Sequence, residues 1–260
     1  MTRDPGIPIL TYHGLEEASG QNGLYTLRRS QFEAQMGYLF EKKYQTISLE
    51  KIRQYLEGKS VPEKSVVITF DDGMESDFLV AFPVLKRYGF QATFFVNPGT
   101  VGQAGYLPAA SLKKMSEAGM DIGSHGFDHI FLTRLGHEAL HHQLHDSKVA
   151  LEPLIGKEVS LFSVPRGRYN PRVLEAVKKA GYRLACTSDI GVNEPHSDPF
   201  RLRRWAMKRS YTLDDFISVV VGRAKKHLVL EHVVKQSAYR LLGHTLYENL
   251  RSRVLKEEKQ

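Results

Sequence analysis

The sequence predicts an α/β fold built on a parallel sheet, either open or closed into a barrel. Apolar, β-prone runs alternate with helical patterns along most of the chain, as repeated βα units require. The run Val66-Val67-Ile68-Thr69-Phe70 is β-branched or apolar throughout, as in a strand buried on both faces of a parallel sheet. Polar clusters stand directly after four strand-like runs, and folds of this kind gather their working groups at the carboxyl ends of the strands.

In chain order, Ile7 to Tyr12 is short, apolar and β-prone. Ser30 is placed to cap a helix through Tyr44, with Phe32, Met36, Leu39 and Phe40 on one face. Ser48 caps a helix to Leu56 that stops at Gly58. After the Val66–Phe70 strand, a helical pattern runs from Ser76 to Tyr88 and stops at Gly89. A second buried strand covers Ala92 to Val96, a helix follows from Leu107 to Ala118, and a short strand leads into Gly123-Ser124. Leu135, Ala139, Leu144, Leu151 and Leu154 mark a long helix. Leu161-Phe162-Ser163 reads as a strand, and Asn170-Pro171 opens a helix to Ala180 with Gly181 as its stop. Arg183 to Thr187 is strand-like, and Thr212 caps a helix over Leu213 to Val221.

The chain of 260 residues is 42% hydrophobic and 25% charged, ordinary for a globular protein that buries its core without staples. Cys186 is the single cysteine, so no intrachain disulfide forms, which fits a reducing compartment. The N-terminus carries no charged region followed by an apolar stretch, and no apolar run approaches the ~20 residues that span a bilayer. A cytoplasmic location is the default expectation. Of the net charge of +7, +5 falls between Gly222 and Gln260, where nine Lys/Arg face four Asp/Glu. A sequence pI near 9.3 therefore describes a basic appendage, and a catalytic domain built as a nucleic-acid platform is disfavoured.

The polar clusters are Tyr12-His13-Gly14, Thr69-Phe70-Asp71-Asp72-Gly73, Ser124-His125-Gly126-Phe127-Asp128-His129 and Pro165-Arg166-Gly167-Arg168-Tyr169. Adjacent residues on an extended chain point opposite ways, but a turn at the strand's end lets Asp71 and Asp72 reach one cavity. Asp-Asp-Gly by itself reads as a turn. His125 and His129 have H-x₃-H spacing, which on a helical turn puts two imidazoles on one face, suited to Zn²⁺ or a similar ion. With eleven histidines in the chain, that spacing alone is weak. His141, His142 and His145 read as solvated helix surface.

In combination these segments carry a family signature. Thr69-Phe70-Asp71-Asp72-Gly73 with Ser124-His125-x₃-His129, supported by Ala92-Thr93-Phe94-Phe95-Val96 and Gly123, resembles the polysaccharide deacetylases (NodB homology domain, carbohydrate esterase family 4) from about Ile7 to Val221. The resemblance implies a distorted (β/α) barrel. Asp72, His125 and His129 look like ligands of a divalent metal, with Zn²⁺ foremost and Co²⁺, Ni²⁺ or Fe²⁺ compatible with the same donors. Asp71 looks like the general base that takes a proton from metal-bound water. The implied reaction releases acetate from an N-acetylated amino sugar in a polysaccharide, oligosaccharide or carrier-linked glycan.

Two departures bear on mechanism. Where many relatives place an aromatic residue after the proline, this chain has Arg166; its backbone N–H still suits an oxyanion, and its side chain could face a sugar hydroxyl or an anion. The family's Leu-x-His motif near the C-terminus is absent, since Leu202 to Tyr211 contains no His. Relatives acting on poly-N-acetylglucosamine carry a His on the first strand in a Tyr-His setting, and Tyr12-His13 resembles it, so His13 is the expected general acid, with His196 and His232 as alternatives. Asp189 and Trp205 are candidates to tune or line the pocket, although Trp205 also reads as core.

The expected organisation is a catalytic domain over residues 1–221 and a basic helical extension over 222–260. Leu228, Leu230, Val233, Val234, Leu241, Leu242, Leu246, Leu250 and Val254 are its apolar residues. The extension either packs on the barrel or a partner subunit, or presents an amphipathic face to anionic membrane. The rivals to a deacetylase are an amidase on a small C–N substrate and a sugar-binding pseudoenzyme.

Overall fold

A computed structural model describes residues 6–16, 23–234 and 237. Its strands are β1 (Ile7–Tyr12), β2 (Leu15–Glu16), β3 (Leu27–Arg28), β4 (Gln45–Thr46), β5 (Ser65–Phe70), β6 (Thr93–Val96), β7 (Asp121–Ser124), β8 (Leu161–Ser163), β9 (Leu184–Cys186), β10 (Val192–Asn193) and β11 (Trp205–Ala206). Nine of them form one sheet in the order β10-β1-β5-β6-β7-β8-β9, with β4 on β5 and β11 on β1. The run from β1 through β9 is parallel, and β10 joins β1 antiparallel.

This sheet curls strongly into the distorted barrel expected from the sequence. The stretch from Leu202 to Met207 reaches both of its edges. The Leu202 N–H donates to the Ala185 carbonyl at 3.0 Å, and three residues later Trp205 and Ala206 pair in parallel with Leu10 and Thr11. That segment carries Arg204 across the end of the curl.

Side-chain alternation divides the core. Leu10, Val66, Ile68, Phe94 and Phe162 belong to the larger cluster, under the outer helices. Ile9, Val67, Phe95, Leu161 and Leu184 project the other way and meet Leu49, Ile52, Tyr55 and Leu56 of α2 (Leu49–Leu56). Gly123 lets this layer close, because a Cβ there would lie 2.6 Å from the Phe95 ring and 2.9 Å from the Leu161 carbonyl.

Helix starts and interruptions differ from the sequence reading for identifiable reasons. Helix α1 (Arg29–Glu41) begins before Ser30, with Arg28 as N-cap and its N–H donating to Gln31 Oε1 at 3.2 Å. Phe32, Met36 and Leu39 are buried, whereas Phe40 is 57% exposed and lies against Tyr88, ring centroids 5.4 Å apart. The Ser76–Tyr88 pattern divides into a π-helical turn, Asp77–Ala81, and α3 (Phe82–Tyr88); Pro83 cannot supply the regular helical hydrogen bond there. Helix α4 (Ala109–Glu117) starts two residues later than expected, because Pro108 holds Leu107 out of the helical region. The predicted long helix is α5 (His137–His141), a π turn over His142–Asp146, and α6 (Ser147–Ile155). Helices α7 (Pro171–Lys179) and α8 (Leu213–Val220) start at Asn170 and Thr212, whose side chains accept from Val173 and Asp215 N–H.

Beyond α8, residues 226–234 are helical. Leu228 is buried in the main core, Lys208 pairs with Glu231, and Lys225 reaches Asp215 at 2.8 Å, so this part of the basic extension packs on the barrel. Leu230, Val233 and Val234 are exposed. The apolar positions from Leu241 to Val254 lie outside the described residues. Among the described residues no helix is long and apolar enough to cross a membrane.

Candidate active site

At the carboxyl ends of the strands the barrel's inner layer turns polar. Along β5, Val67 and Thr69 lead to Asp71; along β1, Ile9 and Thr11 lead to His13. The Thr11 and Thr69 hydroxyls meet at 3.1 Å, above the apolar layer and below a cleft of about 390 Å³. His13, Asp71, Asp72, His125, His129 and Arg166 all line that cleft.

Asp71 is held by a buried network. The Arg204 guanidinium donates to both of its carboxylate oxygens, each at 2.8 Å, and also to Ser163 Oγ at 2.9 Å and the Thr187 carbonyl at 3.0 Å. Ser163 Oγ donates to Asp71 Oδ2 at 3.1 Å. Burial pushes the Asp71 carboxyl upward, but the Arg204 charge, His125 and the hydrogen bonds from Arg204 more than offset it, holding the group well below the usual carboxylate range.

Asp72 departs from the strand with φ of 80°, a left-handed conformation that short Asp side chains tolerate. That kink lets neighbouring carboxylates serve one cavity. Asp72 Oδ1 is buried with no protein hydrogen-bond partner, and it lies 3.5 Å from His125 Nε2 and 3.3 Å from His129 Nε2. The ring centroids of the two histidines are 5.0 Å apart.

These histidines do not share a helical turn as H-x₃-H spacing suggests. His125 follows β7, and the next residues form a loop with left-handed kinks at Gly126 and His129. Gln143 Oε1 accepts the N–H groups of Phe127 and Asp128, each at 2.9 Å, and this anchors the loop. His125 Nδ1 lies 2.8 Å from the Ser163 carbonyl; a carbonyl only accepts, so Nδ1 carries a proton there and Nε2 is the atom turned toward Asp72. Burial, then His125, pulls the His129 imidazole down to about 4, leaving it neutral at pH 7. Two imidazoles beside an orphaned carboxylate oxygen fit a divalent cation, with Asp72, His125 and His129 as its holders.

His13 is partly buried, its ring 5.1 Å from that of Tyr25, and its Nδ1 has no hydrogen-bond partner. Burial lowers its pKa, while the charges of Asp72 and Asp71 push the other way. Arg166 sits at φ of 57°, and its guanidinium lies 4.7 Å from the centre of the Phe131 ring. His196 is exposed on a turn whose N–H donates to Leu56, outside the cleft lining. His232, on the extension's helix, does line the cleft, as does Trp205, which is only 5% exposed. Asp189 accepts a hydrogen bond from the Tyr169 hydroxyl at 2.5 Å.

The model of the family described as polysaccharide deacetylase matches residues 58–185. The Bacillus subtilis protein YxkH is 34% identical over 199 residues, covering 76% of this chain and 70% of its own. The chain belongs to the polysaccharide deacetylase family. Other members at greater distance include the peptidoglycan-N-acetylglucosamine deacetylase of Bacillus cereus, 31% identical over 65% of this chain and 73% of that one. The poly-beta-1,6-N-acetyl-D-glucosamine N-deacetylase of Staphylococcus aureus is 24% identical over 75% and 76%. Among solved structures, the Streptococcus pyogenes deacetylase PplD, in complex with acetate, superposes with a TM-score of 0.78 at 26% identity, over 83% of this chain and 98% of that one.

Arg204, Ser163 and Gln143 were not singled out by the sequence analysis. The one signal for Arg204 is its place within the stretch Leu202 to Met207, which it shares with the adjacent Arg203. Ser163 and Gln143 had none, because they act through hydrogen bonds to partners between 15 and 92 residues away.

Proposed function

We propose that this family member hydrolyses the N-acetyl group of N-acetylglucosamine units in a glycan, releasing acetate and leaving a free amine on the sugar. The observation that carries the reading is the meeting, in one cleft, of Asp71 with the Asp72, His125 and His129 group. A divalent ion bound by that group, Zn²⁺ in this proposal, supplies a Lewis acid that polarises the acetyl carbonyl and acidifies water.

The remaining work falls to the chain's own residues. Asp71, kept ionised by Arg204, accepts the proton of the attacking water at its carboxylate. The paired Arg204 fixes the position of that carboxylate and keeps it unprotonated until the transfer. The backbone N–H of Arg166 stabilises the oxyanion as the carbonyl becomes tetrahedral. His13 delivers a proton to the departing nitrogen. The partly apolar cleft wall, with Trp205 and Tyr25, suits a sugar face. Support for an N-acetylglucosamine substrate comes from what the B. cereus and S. aureus relatives act on.

Acetate release from N-acetylglucosamine oligomers, with and without added Zn²⁺ or Co²⁺, tests the reading with wild type, D71N and H125A. Metal-dependent release abolished in both variants is the expected result. A metal-loaded wild-type protein that releases no acetate from free or carrier-linked N-acetylglucosamine sugars overturns it, in favour of a different amide substrate or a binding role.

A further inference from the structure

A second group of metal-ligating side chains lies outside the cleft. His141 ends α5, while His145 and Asp146 close the π turn that follows. One ligand atom from each of the three lies within 4.8 Å of the others. The His141 and His145 rings stack with centroids 4.6 Å apart, and Asp146 Oδ1 lies 3.9 Å from His141 Nδ1 and 3.1 Å from His145 Nδ1. His142 Nδ1 approaches the other oxygen of the same carboxylate at 2.9 Å. Three imidazoles thus converge on one carboxylate at the surface.

We propose that His141, His145 and Asp146 hold a second divalent cation of the borderline class, Zn²⁺, Ni²⁺ or Cu²⁺, separate from the cleft. Two histidines one helical turn apart reach a common point without backbone rearrangement, and the nitrogen, nitrogen and carboxylate-oxygen donor set suits these ions. The partial exposure of all three side chains, between 46% and 56%, leaves further coordination positions to water.

The neighbouring contacts give the site a role. On the same π turn, Gln143 accepts the Phe127 and Asp128 N–H groups and donates to Asp128 Oδ2 at 2.8 Å. The His142 ring packs on Phe127 with centroids 4.3 Å apart. An ion that ties α5 to Asp146 stiffens the turn whose opposite side anchors the loop bearing His129. Its function is structural support of that loop, and this does not depend on which amide is cleaved.

Metal counting after dialysis of untagged, metal-stripped full-length chain against Zn²⁺ tests this directly. Two equivalents are expected in wild type, one in H141A/H145A and one in H125A/H129A, each variant keeping the wild-type circular dichroism without metal. D146N, which preserves shape while removing the charge, is expected to lose the same equivalent as H141A/H145A. A single equivalent in wild type, or two retained in H141A/H145A, overturns the proposal. Loss of the H125A/H129A equivalent alone would support the cleft site only and count against the second one. As a second readout, Ni²⁺ should raise the melting temperature of H125A/H129A but leave H125A/H129A/H141A/H145A unchanged.

Discussion

Replacing Arg204 with Met removes the partner of a carboxylate that is almost wholly enclosed. The side chains of Arg204 and Asp71 are 4% and 5% exposed, and the guanidinium grips both oxygens at 2.8 Å. Water cannot easily substitute, so Asp71 must either remain charged without compensation or take up a proton. Breaking a buried pair from one side costs about 3–5 kcal/mol, whereas replacing both partners is often near neutral. R204M should therefore lose about that amount in urea denaturation, a fall in melting temperature of roughly 6 to 20 °C for a chain of this size. D71N/R204M should recover much of the loss, giving a coupling energy of at least about 2 kcal/mol in the double-mutant cycle. The pH dependence has a definite sign. Arg204 holds the folded-state pKa of Asp71 below its unfolded value, so the stabilisation is present above the ordinary carboxylate range and lost as pH falls through the lowered pKa. The gap between wild type and R204M should narrow as the solution is acidified, and the acidic limb of the R204M activity profile should move to higher pH. A loss below about 1 kcal/mol, or single-variant losses that simply add, would show that the pair is not what holds Asp71.

Other outcomes can be checked separately. H13A should keep its fold and its metal content while kcat for acetate release falls by about 10²- to 10⁴-fold, the usual share of general acid catalysis; near-wild-type kcat in a well-folded variant would remove His13 from the mechanism. Asp77 is fully buried, with neither side-chain oxygen hydrogen-bonded to protein, and burial, with Asp72 nearby, raises its pKa well above the ordinary value. A raised acid pKa means stability declines as pH climbs above the ordinary carboxylate value, about 3.9, so D77N should gain on wild type in melting temperature from pH 4 upward. A pH-independent difference between the two would count against a buried neutral carboxyl. G167A should destabilise the chain by about 2 kcal/mol or more, since Gly167 has φ of 64° and a Cβ there would fall 1.7 Å from Ser188 Oγ. Urea denaturation reads the loss directly, and a cost under about 0.5 kcal/mol would mean that the cleft loop yields freely.

Much of this molecule is legible before any coordinates. The β5 run and the alternating helical patterns specify a parallel α/β sheet, because period and burial are local properties of the chain. The polar clusters at Asp71-Asp72, His125-x₃-His129 and His13 declare themselves by following strands, and the structure brings all five residues into one cleft. Helix starts were less visible where a proline sets the boundary or the cap is not a Ser, Thr, Asp or Asn, as at Pro108 and Arg28.

The chain's own order of residues thus settles which strands form, which side chains reach their carboxyl ends and which family the protein joins. It does not settle what completes the site. Arg204 reaches Asp71 only because Leu202 to Met207 crosses between β9 and β1, and Gln143 meets the His125–His129 loop only because the π turn faces it. The kinks at Asp72 and His129 likewise depend on tertiary bonds that over-determine the backbone. Periodicity reports on neighbours three or four residues away, whereas a buried charge pair 133 positions apart is decided by the closing of the sheet.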